Sequence, residues 1–317
     1  MTATDQRPLV SVVLPTYDRP EMLVEAVESV ASQTYPAIEL IVVDDCSPTP
    51  AAALLETHAP DGLEWNCLRH DSNRGANTAR NTGIRAANGD ILAFLDDDDR
   101  WKPEKLEAQV AAIQDDVGVV VVGQQYVHDG EETTTTLPTV DGNATAALIG
   151  DGIAGPFSTI AVRRSVLEEA GLPDERFPAW QDREWLLRLS CYCRFGAIRR
   201  PLVVRRQGDY EQISNKFEAK RDTTYPLYLE KHRNLAAEHG RERLFVAQLA
   251  AGIAAAGLAN GYYGDARKFA AKAIRTHPLV RSAYVYLLLA LGGSHTYRSA
   301  ARIKRAVDRF VRGVPGV

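Results

Sequence analysis

The residues in this 317-residue chain that most suggest chemistry are four consecutive carboxylates, Asp96, Asp97, Asp98 and Asp99, which follow the apolar run 91–95. Adjacent acids repel one another unless a cation neutralises them. A hard divalent ion, Mg2+ or Mn2+, takes oxygen ligands and shares its remaining positions with phosphate oxygens. The run therefore points to a metal-held phosphate group. An acidic turn capping the helix after Trp101, Lys102 and Pro103 is the simpler account. It loses ground because a second acid pair, Asp44 and Asp45, closes another apolar run at 39–43.

Two more patterns carry chemistry. Asn73, Arg74, Gly75 and Ala76 form a small-residue turn that enters a helix carrying Arg80 about one turn from its start. Helix N-termini and guanidinium groups both favour phosphate oxygens. Farther along, Asp182 opens a helix between Trp180 and Trp185. An aspartate there is an ordinary N-cap. A carboxylate at a helix start is also oriented and exposed, as a general base must be.

The surrounding pattern says how these groups are positioned. Short apolar runs at 9–14, 39–43, 91–95 and 117–122 predict strands, 64–69 is a candidate for a further one, and helical spacing predicts helices over 20–32, 77–87 and 103–113. Uninterrupted apolar strands alternating with helices imply an α/β fold, a mostly parallel sheet with helices on both faces. Ligands then bind beyond the carboxyl ends of the strands, so Thr16, Tyr17 and Asp18, the pair Asp44–Asp45 and the run 96–99 should face one cleft. The pattern weakens over 125–151, where 133–136 reads as loop. A strand at 157–162, a helix at 181–193 and a strand at 197–206 follow. Beyond 215 the chain reads as helical over 216–238, 241–260, 264–276, 279–292 and 296–312. Two domains are expected, an α/β domain at 1–214 and a helical one at 215–317.

Taken in order, five motifs resemble family 2 glycosyltransferases of the GT-A fold. They are the stretch from Val12 through Pro15, Thr16, Tyr17 and Asp18 to Arg19; Ser32 to Tyr35; Ile41 to Ser47; Asn73 to Gly83; and Asp96-x-Asp98. The resemblance spans roughly residues 8–210. It implies a nucleotide-sugar donor, UDP-linked most often, bound by Pro15, Thr16, Tyr17, Arg19, Asp45, Asn73, Arg80, Asp96 and Asp97. Asp45 would accept from the base's ring N–H, and Arg80 would lie near the diphosphate. It implies Asp98 as the direct ligand of Mg2+ or Mn2+ and Asp182 as the catalytic base of an inverting, single-displacement transfer to an acceptor hydroxyl. Gln181 stands where the family commonly has Glu, and Cys46 where it has Gly, so the turn after the second strand is expected to differ.

Other classes fit less well. A Rossmann dehydrogenase needs GxGxxG after its first strand, and residues 15–20 contain no glycine. A nucleotidyltransferase would show a Gly-rich, basic first loop. The non-enzyme alternative, a catalytically lapsed scaffold of the same fold whose helical tail binds partners, has no need of Asp45, Asp96, Asp98 and Asp182. A net charge of −4 offers no footprint for nucleic acid. Cys46, Cys67, Cys191 and Cys193 are too few and too spread for a disulfide or zinc framework. No signal peptide opens the sequence, and the longest apolar stretch recognised, 283–293, is half of what a bilayer needs, so a cytoplasmic protein is expected. From Thr296 onward six basic residues face Asp308 alone. Ala300, Ile303, Val307 and Phe310 fall on one helical face and the arginines opposite. This basic amphipathic segment, 296–317, suggests peripheral contact with an anionic membrane and an acceptor such as a lipid-linked glycan. A solvated face on a packed helix is the plainer alternative.

Overall fold

The computed structural model describes residues 7–128, 131–206, 217–297 and 299. The chain divides into two compact units: Met1–Leu148 with Gly152–Tyr210, and Glu211–Val317 with Ile149–Asp151.

The first unit is built on a nine-stranded mixed sheet of order β3-β2-β1-β4-β8-β6-β9-β5, with β7 paired to β6. Its first half is the classical alternation of strand and helix: β1 (Val10–Thr16), α1 (Pro20–Ala31), β2 (Ile38–Asp44), α2 (Ala51–His58), β3 (Glu64–Arg69), α3 (Ala76–Ala86) and β4 (Ile91–Phe94). These four strands are parallel. After β4 come β5 (Asp99–Trp101), α4 (Lys105–Ala112), β6 (Val117–His128), β7 (Glu131–Thr136), α5 (Thr145–Ile149), β8 (Ile160–Arg163), α6 (Arg164–Ala170), α7 (Gln181–Leu189) and β9 (Arg194–Arg206). Here β8 runs antiparallel to both β4 and β6, β6 and β9 are parallel, and β5 and β7 add antiparallel edges.

Both faces of β1, β2 and β4 are covered, which is why these strands are mostly apolar, whereas β3 at the edge is polar and partly exposed. On one face Val10, Val12, Leu14, Leu40 and Val42 pack with Leu23, Val27 and Val30 of α1. On the other, α3 comes so close that a Cβ on Gly83 would lie 2.5 Å from Val13 Cγ1. Strand order reverses at β1, which has β2 on one side and β4 on the other. A crevice therefore opens beyond the carboxyl ends of β1 and β4.

Several local expectations change. Residues 133–136 are strand β7, not loop: four threonines suit a pleated edge paired with β6. Asp99 leaves the acidic run to start β5, because Asp99, Arg100 and Trp101 pair with the end of β9. Helices α2, α5 and α6, five to eight residues each, were too short to show periodicity. Helix α7 stops at Leu189, short of the expected 193.

The second unit is helical. A short α8 (Phe217–Ala219) passes through one π-helical turn, Lys220–Thr224, into α9 (Tyr225–Glu238). Then follow α10 (Glu242–Ala259), α11 (Tyr263–Thr276) and α12 (Arg281–Leu291). The longest apolar stretch is α10 and not 283–293: it has 18 residues, a mean hydropathy of 1.3 and half its length buried. It serves as the core of this unit, packing on α9, α11 and α12. Nearly all of the basic amphipathic segment, 298 and 300–317, lies outside the described residues.

Candidate active site

The crevice is lined by groups that local backbone geometry presents. Asp18, Cys46 and Trp180, at the ends of β1 and β2 and the start of α7, have φ of 53°, 71° and 54°. Left-handed backbone is costly for residues with side chains, and such strain collects at functional sites. Cys46 thus adopts the conformation a glycine would take, and the turn after β2 does not need glycine to form. It is pinned by Asp44, whose carboxylate accepts from Ser47 N (2.7 Å) and Ala51 N (3.0 Å) and pairs with Arg69.

Thr16 ends β1, and its Oγ1 donates to Asp97 Oδ2 at 2.9 Å. Arg19 Nη1 bridges Asp97 (2.8 Å) and Asp98 (3.3 Å). Pro15 is buried within β1, whereas Tyr17 is exposed beside it. Asp97 is thus buried and engaged through both oxygens, and burial is the main reason its pKa rises to about 6. Asp45 is equally committed. It accepts from Arg74 N (2.8 Å) and Gly75 N (2.7 Å) and pairs with His70 Nδ1 (2.7 Å), holding the loop that leads into α3. Asn73, on that loop, is exposed.

Arg80 links three elements. One guanidinium nitrogen, Nη2, donates to Asp96 Oδ1 (2.5 Å), and the other, Nη1, to Asn77 Oδ1 and Gln181 Oε1 (3.2 and 3.1 Å). Its Cζ lies 3.9 Å from the centroid of the Phe157 ring, which packs in turn on Phe94 and Trp185. This aromatic floor fixes where α7 begins. Trp185 Nε1 donates to Gly171 O (3.0 Å), and Asp182 sits one turn earlier. The N-cap of α7 is Trp180, so Asp182 is the second helical residue and not the cap; its Oδ1 accepts from Arg183 N (2.7 Å). Burial raises the Asp182 pKa, against opposing pulls from that hydrogen bond and from Arg80 and Arg205. Asp96 acts on it in the other direction, so Asp182 lies within electrostatic reach of the acidic run.

Asp96, Asp98 and Asp99 each bring a carboxylate oxygen within 4.8 Å of the others. Burial first, then the neighbouring acids, raise the pKa values of Asp98 and Asp99, the latter to about 7. A compact, oxygen-only set that resists ionisation next to its neighbours is chemically suited to a hard divalent cation. Asp97 points away from this set, toward Thr16 and Arg19.

Asp99, part of the acidic run, stays in the acidic set, and three further contributors escaped the sequence reading. Arg205 reaches Asp99 (3.3 Å) because β5 and β9 pair Asp99 with Arg205; a strand ending in two arginines opposite an acidic run was the available signal. His70 joins Asp45 to Thr82 (2.9 Å). Ser158, fully buried, donates to Asp99 Oδ2 (2.6 Å) and accepts from Asp96 N (3.1 Å). Nothing in the sequence marked His70 or Ser158.

The sequence profile of Glycosyl transferase family 2 matches residues 11–171. A putative teichuronic acid biosynthesis glycosyltransferase of Bacillus subtilis, TuaG, is 38% identical over 107 residues, 34% of this chain and 42% of that protein. A putative colanic acid biosynthesis glycosyl transferase of Escherichia coli, WcaA, is 34% identical over 125 residues, 39% of this chain and 45% of the other. The chain thus spans about half the length of the curated relatives it matches. Among solved structures, Staphylococcus aureus TarS 1–349 in complex with UDP superposes with a TM-score of 0.64 at 18% identity, covering 96% of this chain and 91% of that one. The Pyrobaculum calidifontis mannosyltransferase PcManGT, in complex with GDP-Man and Mn2+, gives 0.56 at 19% identity, covering 96% and 88%. A profile match over half the chain, on a sheet and crevice of this architecture, makes the protein a member of glycosyltransferase family 2 with the GT-A fold.

Proposed function

We propose that this protein transfers a sugar from a nucleotide-diphosphate donor, UDP-linked in the first instance, to an acceptor hydroxyl during glycan biosynthesis. The observation that carries this reading is the meeting of Asp182, Arg80 and the Asp96–Asp98–Asp99 set around the crevice beyond β1 and β4. The relatives named for teichuronic and colanic acid biosynthesis support a cell-surface glycan as product.

In this reading Asp182 removes the proton from the acceptor hydroxyl as that oxygen attacks the anomeric carbon, and the configuration inverts. Its raised pKa makes it a stronger base than an exposed aspartate. Arg80, held over the Phe157 ring, would face the diphosphate and stabilise charge there as the bond breaks. Asp98, with Asp96 and Asp99, would hold Mg2+ or Mn2+, which when bound supplies Lewis-acid stabilisation of the leaving diphosphate. Thr16, Tyr17, Arg19, Asn73 and Asp45 would line the nucleoside end. Asp45 would do so largely through the 74–75 loop it pins, since its oxygens already accept three hydrogen bonds. Pro15 and Asp97 would shape that wall from behind it. The acceptor would be a glycan, lipid-linked and met at the cytoplasmic face of a membrane through segment 296–317.

A screen of nucleotide sugars for thermal stabilisation in Mn2+, followed by transfer and hydrolysis assays, tests the reading. A UDP- or GDP-sugar should stabilise the protein only with the metal, and Asp98→Ala should abolish that dependence. Stabilisation by no nucleotide sugar, or wild-type metal titration by Asp98→Ala, refutes it.

A further inference from the structure

In the helical unit, α12 has two apolar faces. Its inner face packs: Ala290 joins Leu258 and Ala266 in a small core, with Tyr286 and Leu289 against it. Its outer face packs on nothing described. Tyr284, Val285, Leu288 and Leu291 recur at the spacing that stacks side chains along one side of a helix, and Leu279 precedes them. Their exposures are large for such residues: 68% for Leu288, 62% for Leu291 and 80% for Leu279. A row of exposed leucines this long marks an interaction surface.

The charge around this row selects its partner. Arg281 stands one turn before Tyr284 and Val285 on the same side. At the other end Arg267 reaches across from α11 to Ala290 O. Lys268, Lys272 and Arg275 on α11 are exposed as well. From Ala266 to Tyr297 the sequence has five basic residues, Arg267, Lys268, Lys272, Arg275 and Arg281, and no acid, a net +5 that leaves −9 for the rest of the chain. A second copy meeting this face through two-fold symmetry would set cations against cations. The chain's own C-terminal segment is itself basic and offers no complementary charge. An apolar helix face that carries Arg281, in a helix pair whose charges from Ala266 onward are all basic, does match an anionic bilayer, where leucines enter the acyl boundary and cations meet lipid phosphates.

We propose that the outer face of α12, with Arg267 and Arg281, is a peripheral docking surface for anionic membrane. The inference stands apart from the transferase reading and from any contribution of segment 296–317.

Flotation of the full chain with phosphatidylcholine vesicles, with or without phosphatidylglycerol, tests it. Binding should require the anionic lipid and weaken as salt rises. Leu288→Ser with Leu291→Ser should weaken it about 100-fold, roughly tenfold for each leucine withdrawn from the acyl boundary. Arg281→Glu should weaken it roughly tenfold. Both changes are at exposed positions, and circular dichroism should show an unaltered fold. Donor binding, measured separately, should not move. The proposal is overturned if the full chain ignores anionic vesicles, if it binds neutral ones equally, or if the double variant floats like the wild type. It is also overturned if the chain is a dimer in solution that the double variant splits, which would make the face a contact between copies.

Discussion

Glu39, near the start of β2, and the acids beyond β4 sit at opposite ends of one sheet, and the fold treats their charges differently. Burial alone would raise the Glu39 pKa, but hydrogen bonds from Ser11 Oγ (2.5 Å), Asn88 N (2.6 Å), Asn88 Nδ2 (3.0 Å) and Gly89 N (3.1 Å) outweigh it, and the pKa falls. At the other end, Asp98, Asp99 and Asp182 are desolvated without enough donors, and their pKa values rise. The first arrangement is complete within the protein; its carboxylate holds β1, β2 and the turn into β4 together. In the second, hydrogen bonds and nearby arginines do not offset burial. In the proposed reading, stability and function therefore draw on different carboxylates.

That contrast can be broken by substitution. The largest expected effect is Asp182→Asn, which should lower the transfer rate about 10²- to 10⁴-fold, the usual worth of a positioned general base, while donor binding stays. Its melting temperature should not fall, because a desolvated charge is removed. A large loss of stability with retained transfer would reverse the contrast. Glu39→Gln should do the opposite, costing about 3 kcal/mol in denaturant unfolding as charged hydrogen bonds are lost, with donor affinity of the folded protein unchanged.

Smaller effects sharpen the picture. Ser158 ties Asp96 and Asp99 without facing solvent, so Ser158→Ala should weaken Mn2+ binding about tenfold, read by calorimetry. An unaltered affinity would remove Ser158 from the support of the acids. The two ends should also respond to pH differently. Glu39 has a folded pKa below its unfolded value near 4.5, so its contribution to stability is present above that value and lost as pH falls through the folded pKa. For Asp182 the raised pKa means the basic form is lost sooner. The acid limb of kcat/KM should therefore lie above the 3.8 of an ordinary aspartate and disappear in Asp182→Asn.

Much of this was legible in the residues. Runs that are apolar but for Ser11 and Glu39, closing at Pro15, Asp44 and Asp96, determined buried strands alternating with helices. Helical spacing marked α3 in the same local way. That Thr16 meets the acidic run was decided by the sheet order, which reverses at β1, whereas Asp44 is buried in the turn after β2. What the sequence could not determine was the partner each side chain would meet. Asp97 and Asp99 look alike in the run, yet one turns inward to Thr16 and Arg19 and the other joins β5, because β9 returns antiparallel 106 residues later to pair with it. The roles of His70, Ser158 and Arg205 likewise depend on contacts between residues distant in the chain. Local pattern fixes which elements form and which faces they bury; the register with which distant elements meet decides which charges are satisfied and which are left for a ligand.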